Sequence, residues 1–238
     1  MPVWYESPIK KTEEIAPGVR RFWLENPGIT FAPGQFITLD LPIGDKRLQR
    51  WRSYSIANSP SDGGDLELCI VRSAAGDGTR YLFETAAEGT VLRWKGPDGA
   101  FTLPTDLEKK DLVLICTGTG IAPFRSMIRE VKNRALPFKS IHLIFGCRTE
   151  PDILYRAEME ALVKEMPGFR YDIALSRQSD GPGYQGYVHQ IYQQQYNTPR
   201  PDVKFMLCGW SQMIDQAVAH LLVDLGFARE QVVYELYG

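Results

Sequence analysis

Cys116-Thr117-Gly118-Thr119-Gly120-Ile121-Ala122-Pro123 joins a continuous apolar run to a helix-like segment. Glycines at such a joint let the backbone approach a pyrophosphate, whose charge is met by N–H groups and by the helix dipole. Pro123 suits the first turn of a helix, where its missing N–H costs nothing. The loop is not GxGxxG, and the acid usually found about twenty positions on, which holds a ribose 2′-hydroxyl, is missing. By spacing alone, dinucleotide binding and a merely tight turn both stay open. Phe145-Gly146-Cys147-Arg148 and Leu175-Ser176-Arg177 each end a strand-like run, the place where open α/β sheets bind ligands. Arg148 and Arg177 offer planar donors fitted to phosphate and Ser176 adds a hydroxyl, a set that favours NADPH over NADH. Nearer the N-terminus, Arg52-Ser53-Tyr54-Ser55 alternates on a strand. The period of two puts Arg52 and Tyr54 on one face, able to meet a phosphate and a planar ring together, with Ser55 on the other.

These residues need two kinds of scaffold. Up to about Pro104, short β-like runs are broken by turn formers: Phe22 to Leu24, Gln35 to Leu41, Tyr54 to Ala57, Leu66 to Val71 and Val91 to Trp94. Their regular, short spacing predicts a small antiparallel barrel or sandwich, with one short helix from Thr79 to Phe83. Asp106 to Lys110 reads as a polar linker. Beyond it, apolar runs at Asp111 to Cys116, Ser140 to Phe145, Tyr171 to Leu175, Val203 to Cys208 and Val232 to Leu236 alternate with amphipathic stretches. The clearest of these are Pro123 to Arg134, Ala157 to Glu165 and Met213 to Leu225. Near-continuous apolar strands alternating with helices imply a parallel sheet covered on both faces. The expected architecture is an N-terminal antiparallel β-barrel over residues 1–105 and a C-terminal doubly wound α/β domain over residues 106–238 with a five-stranded parallel sheet.

Composition narrows the function. Among 238 residues the formal net charge is −2, which argues against a dedicated nucleic-acid binder. The four cysteines, Cys69, Cys116, Cys147 and Cys208, show no CxxC and no iron–sulfur spacing. No run is long enough to span a bilayer and no apolar leader core precedes the first strand, so a cytoplasmic protein with reduced thiols is expected. The three histidines, His142, His189 and His220, read as satisfied structural residues, and no metal-binding or nucleophile-elbow motif appears.

Taken in order, these stretches resemble the ferredoxin–NADP reductase family along nearly the whole chain. Arg52-Ser53-Tyr54-Ser55 is similar to that family's RxYS flavin motif, and Gly76-Asp77-Gly78-Thr79 to its glycine–hydroxyl loop under the FAD pyrophosphate. Gly96 to Phe101 resembles its GPxGxF turn, and Thr117 to Pro123 its GTGIAP nucleotide loop. Phe145 to Arg148, followed by Asp152-Ile153-Leu154-Tyr155-Arg156, is similar to a stretch of NADPH-dependent diflavin reductases. Cys208-Gly209 with Met213 resembles the CG…M signature, and Glu235-Leu236-Tyr237 the C-terminal Glu-x-Tyr, here followed by Gly238.

The resemblance implies that Arg52 binds an FAD phosphate, that Tyr54 packs on the flavin, and that Ser55 sits near its N5. It places backbone groups of Cys69, Ile70 and Val71 along the cofactor, and gives Gly76, Gly78 and Thr79 its pyrophosphate. Thr117, Gly118, Thr119, Gly120 and Pro123 take the nicotinamide dinucleotide, with Ser176, Arg177, Tyr187 and more weakly Arg148 at its 2′-phosphate. Ser53, Gly209 and Met213 fall within the cofactor motifs. Ser55, Cys208 and Glu235 form the inner catalytic shell for hydride transfer from nicotinamide C4 to flavin N5, and Tyr237 covers the other flavin face until it moves.

The implied protein is an NADPH-dependent, FAD-containing reductase that serves a separate ferredoxin, flavodoxin or oxygenase component. The expectations for its partners are no nucleic acid, no membrane insertion and a monomer. An NADH-dependent reductase of an oxygenase or cytochrome system, and a non-catalytic flavin-binding subunit, remain the alternatives. Arg47, Arg50, Arg72, Arg80, Arg93 and Lys95 are candidates for a basic docking face toward an acidic carrier.

Overall fold

The computed structural model describes residues 3–237, so Gly238 and the first two residues lie outside the described part. Contacts divide the chain into two compact units: residues up to Thr102 together with Ala122–Arg134, and Leu103–Ile121 together with the chain from Ala135 onward.

In the first unit, β1 (Trp4–Ala16), β2 (Val19–Leu24) and β3 (Phe36–Asp40) lead to the single turn α1 (Arg47–Arg50). They are followed by β4 (Trp51–Ser55), β5 (Leu66–Val71), α2 (Asp77–Glu84) and β6 (Val91–Asp98). The sheet order is β4-β3-β6-β1-β2-β5, antiparallel throughout. A bridge from Ile56 to Leu68 joins the two edges and closes the barrel. Closure removes the free edges that would otherwise invite pairing with other chains. Ile9, Phe22, Leu39, Ile56, Leu68 and Trp94 fill the interior with almost no exposed surface, and the Trp94 indole N–H donates to Ser7 Oγ at 3.0 Å.

The expected strands are present. The long first strand β1 is an addition, because its outward positions are charged (Lys11, Glu13, Glu14) and Pro8 interrupts its alternation. The short helix expected from Thr79 starts two residues earlier, at Asp77.

The second unit opens with β7 (Asp111–Thr117), after which the chain enters α3 (Ile121–Asn133). Then follow β8 (Ser140–Cys147), α4 (Arg156–Glu165), β9 (Phe169–Leu175), the two-residue β10 (Tyr184–Gln185) and α5 (Val188–Gln195). β11 (Val203–Trp210), α6 (Ser211–Ala219) and β12 (Val232–Tyr237) complete it. All pairings are parallel, in the order β10-β9-β8-β7-β11-β12. The main strands thus run third-second-first-fourth-fifth, which puts a topological switch point between β7 and β11. The sheet has six strands rather than five because the loop after β9 folds back and pairs Tyr184 and Gln185 with Ala174 and Leu175. The segment read as a linker is a 3-10 turn, Leu107–Lys109, whose Leu107 is buried and whose carbonyl accepts the Lys139 N–H.

Helix α3 counts with the barrel for most of its length, and buried polar bonds explain why. Arg125 donates to the Ala57 carbonyl at 2.8 Å and to Glu67 Oε2 at 3.1 Å. Glu67 also takes a bidentate pair from Arg21 at 2.8 Å. Ser126 Oγ donates to the Asn58 carbonyl at 2.6 Å, Ser59 Oγ donates to Glu130, and Arg129 grips Asp62 with two bonds.

Candidate functional site

In the first unit, Arg52 and Tyr54 lie on β4 opposite Leu39 and Ile37 of β3. Nη1 of Arg52 donates to the Trp51 carbonyl at 2.8 Å, which sets the direction of the side chain. A Cβ on Gly78 would lie 3.1 Å from Arg52 Cγ and 3.4 Å from its Nε, so a glycine there keeps the helix start from crowding the arginine. Gly76 caps α2, and Thr79 Oγ1 accepts the Ser73 N–H at 3.0 Å and lies 3.1 Å from the Gly76 carbonyl oxygen. Thr79 therefore holds the loop, while the first N–H groups of α2, which have no intrahelical acceptor, and the Arg52 guanidinium form a cradle for an anion.

Ser55 ends β4 almost completely buried, and burial pushes the Tyr54 hydroxyl up to about 12 against the opposing pull of Arg52. Cys69 and Ile70 are buried on β5, whereas Val71 is exposed. Ser53 alternates with Arg52 and Tyr54 along β4 and shares a 2.9 Å hydrogen bond with Thr38.

In the second unit, two glycines lock the ends of β7 and β11 together at the switch point. A Cβ on Gly120 would be driven into the Cys208 carbonyl, 2.6 Å from its carbon. Gly209 adopts φ +140°, and a Cβ there would strike Thr117. Gly118, at φ +53°, has nothing within 4 Å of a built Cβ, so it is the open glycine over which a pyrophosphate has room. Thr119 and Pro123 are buried at the entry to α3.

At the ends of β8 and β9 the backbone holds the expected phosphate ligands side by side. The Ser176 N–H donates to the Cys147 carbonyl at 3.0 Å, and the Arg177 N–H to the Arg148 carbonyl at 2.9 Å. Both arginine side chains are exposed, and neither has an ion-pair partner among the described residues. The Gly186 N–H donates to the Leu175 carbonyl at 2.8 Å, which delivers the exposed Tyr187, the residue capping α5, to the same end of the sheet.

Cys208 stands in register with Cys116 on one side and Glu235 on the other. Burial raises its thiol pKa well above the ordinary value, Glu235 and Cys116 add to the rise, and a hydrogen bond with Tyr237 opposes it. Met213 is 7% exposed and belongs to the apolar core of this unit, so its contribution is packing.

The histidines are satisfied, as expected. His142 bonds Tyr196 Oη at 2.8 Å and Asp172 Oδ2 at 2.9 Å. His189 and His220 each bond Tyr192 Oη at 2.8 Å. The six candidate docking cations do not form one group. Arg72 pairs with Glu84 and Arg80 with Asp77. Arg50 and Arg93 share the buried Asp40, and Arg47 and Lys95 lie over the Trp51 ring at 4.7 and 4.4 Å. Trp210, 61% exposed at the end of β11, lies outside every motif read from the sequence. The one available signal was an aromatic directly after Cys208-Gly209.

Comparison with known proteins finds the oxidoreductase FAD-binding domain matched over residues 6–103 and the oxidoreductase NAD-binding domain over residues 114–219. The chain is 32% identical to ferredoxin–NADP reductase B of Sorangium cellulosum, covering 98% of this chain and 97% of that one. It is 30% identical to the phenol hydroxylase P5 protein of Acinetobacter pittii, covering 95% of this chain and 64% of that protein's length. A ferredoxin NADP+ reductase from Neisseria gonorrhoeae, solved with FAD and NADP bound, superposes with a TM-score of 0.83 at 25% identity, covering 98% of each chain. No helix among the described residues is long and apolar enough to cross a membrane.

Proposed function

We propose that this chain, which belongs to the ferredoxin–NADP reductase family of FAD- and NAD(P)-binding oxidoreductases, takes hydride from NADPH and passes electrons to a separate small redox carrier. The observation that carries the choice of NADPH is the pair Arg148 and Arg177, side by side at the strand ends with no carboxylate partner among the described residues, and with Ser176 next in the chain to Arg177. A guanidinium pair in that setting matches a phosphate dianion better than a bare ribose hydroxyl.

The residues present fit a flavin dinucleotide, because the glycine start of α2 and Arg52 leave a cradle that a Cβ at position 78 would fill. When bound, FAD supplies two-electron acceptance with one-electron release. Arg52 and the N–H groups of Asp77 and Gly78 hold its phosphates, and Thr79 keeps their loop closed. Tyr54 stays a neutral hydroxyl at all working pH values, since burial has raised it to about 12. We assign flavin binding to residues 1–105 and nicotinamide binding to 106–238, with α3 of the latter stretch packed on the barrel.

On the nicotinamide side, Gly118 gives room for the pyrophosphate, and Arg148, Ser176, Arg177 and Tyr187 take the 2′-phosphate. Cys208 remains a thiol, first because it is buried and then because a thiolate there would face Glu235 and Cys116. Ser55, buried at the end of β4, is proposed to serve the flavin, and Glu235, in register with Cys208, to serve the nicotinamide. A ferredoxin, flavodoxin or oxygenase component is the proposed acceptor, by similarity to the ferredoxin–NADP reductase and the phenol hydroxylase protein that the chain matches.

The test is an anaerobic spectral titration of the purified holoprotein with NADPH and with NADH, for the wild type and for Arg177→Ala. Bleaching at low NADPH is expected, with the variant's preference for NADPH over NADH falling by at least about tenfold, the loss of one charge-assisted phosphate contact. A wild type that prefers NADH and a silent substitution would assign the chain to the NADH-dependent reductases instead. A yellow protein that neither nucleotide bleaches would make it a non-catalytic flavin carrier.

A further inference from the structure

Trp210 presents a large apolar ring to solvent at 61% exposure, although burial is where such a ring gains free energy. Its backbone is fixed. The Trp210 N–H donates to Thr117 Oγ1 at 3.3 Å, and the preceding Gly209 is held at φ +140° against the same threonine. Trp210 then starts α6 from an extended conformation and stands in register with Tyr237 on β12.

Strand order tells which end of a dinucleotide this ring meets. The open Gly118 follows β7, and Arg148, Ser176 and Arg177 lie at the ends of β8 and β9 on one side of it. β11 lies on the other side. A dinucleotide whose pyrophosphate sits at the β7 loop and whose phosphorylated adenosine half runs over β8 and β9 sends its nicotinamide half over β11. Cys208 is buried there and Gly209 has no side chain, so the exposed ring on β11 at that end is Trp210.

We propose that Trp210 stacks on the nicotinamide ring and binds its oxidised, cationic form more tightly than its reduced form. The inference rests on the reading of the second unit as the nicotinamide site. An indole face attracts a pyridinium by its quadrupole as well as by dispersion, whereas neutral dihydronicotinamide gains the dispersion alone. Trp210 thereby sets how long the spent cofactor stays bound, which makes it a residue of redox-state specificity.

The experiment measures dissociation constants by calorimetry on the FAD-loaded wild type, Trp210→Phe and Trp210→Ala. Three probes are used: NADP+, the redox-inert neutral analogue tetrahydro-NADPH, and 2′-phospho-ADP-ribose, which has no nicotinamide. In Trp210→Ala, NADP+ binding is expected to weaken about tenfold, tetrahydro-NADPH by a smaller factor, and 2′-phospho-ADP-ribose not at all. Trp210→Phe restores part of the difference. Unchanged NADP+ affinity, or an equal loss for all three probes, overturns the proposal. If none of these three 2′-phosphorylated probes binds the wild type, the NADPH reading has failed, and NAD+ against ADP-ribose decides the role of Trp210 by the same criterion. If NAD+ and ADP-ribose also fail to bind, both readings are overturned.

Discussion

The residue that best shows how side-chain chemistry constrains this fold is His142. Burial lowers its pKa below the ordinary 6.5, while its contact with Asp172 pulls the other way. Asp172 is itself lowered, first by the hydrogen bond from His142. One arrangement satisfies both: a neutral imidazole donating from Nε2 to Asp172 and accepting the Tyr196 hydroxyl at Nδ1. Because the folded pKa lies below the unfolded one, this group stabilises the fold above about pH 6.5, and that stability is lost as pH falls through the folded value. His189, lowered mainly by its own burial, acts in the same direction. Unfolding free energy should therefore drop as pH falls below about 6.5, and His142→Gln should flatten that slope by no more than about 1.4 kcal/mol per pH unit. An unchanged slope in the variant would place the titrating group elsewhere. The histidines were legible as structural residues, and Arg148 and Arg177 as residues at strand ends, because both readings depend on local position. Gly120 was legible only in part. Its glycine identity is required by the Cys208 carbonyl of another strand, a contact more than eighty residues away in sequence that no local pattern reveals.

Among elements, α3 departs furthest from what its sequence suggests. Its amphipathic pattern marks a helix, but nothing in that pattern says which partner it chooses. The choice is made by Arg125, whose side chain is 6% exposed, and Glu67, at 3%, with Arg21 completing the network. Removing one member of such a pair leaves a buried charge poorly compensated, so Arg125→Ala should cost about 3 kcal/mol in urea unfolding. Arg125→Met, which restores volume without charge, should still lose stability because Glu67 remains. A double variant that also carries Glu67→Met should recover part of the loss. β1, whose outward face is charged, escaped the sequence pattern because its buried residues are diluted by lysine and glutamate. The core strands β7, β8 and β11 did not, since burial on both faces makes them continuously apolar.

At the scale of the whole molecule, the two domain types and the order barrel-then-sheet could be read from the spacing of apolar runs and turn formers. The path of the chain could not. It passes from one compact unit to the other after Thr102, returns after Ile121, and leaves again after Arg134. That path has a thermodynamic reading. A barrel ending at residue 105 lacks Arg125 for Glu67 and Ser126 for the Asn58 carbonyl. It should melt well below the same barrel with residues 122–134 joined on through a flexible linker, a comparison made by calorimetry of the two fragments. Equal melting temperatures would mean that the helix adds nothing to the barrel. Swapping cofactor preference between relatives by recombination thus needs more than one crossover. A chimera cut only at the first passage would seat a foreign helix on this barrel, and its donor sequence would have to bring matching partners for the carboxylate at position 67.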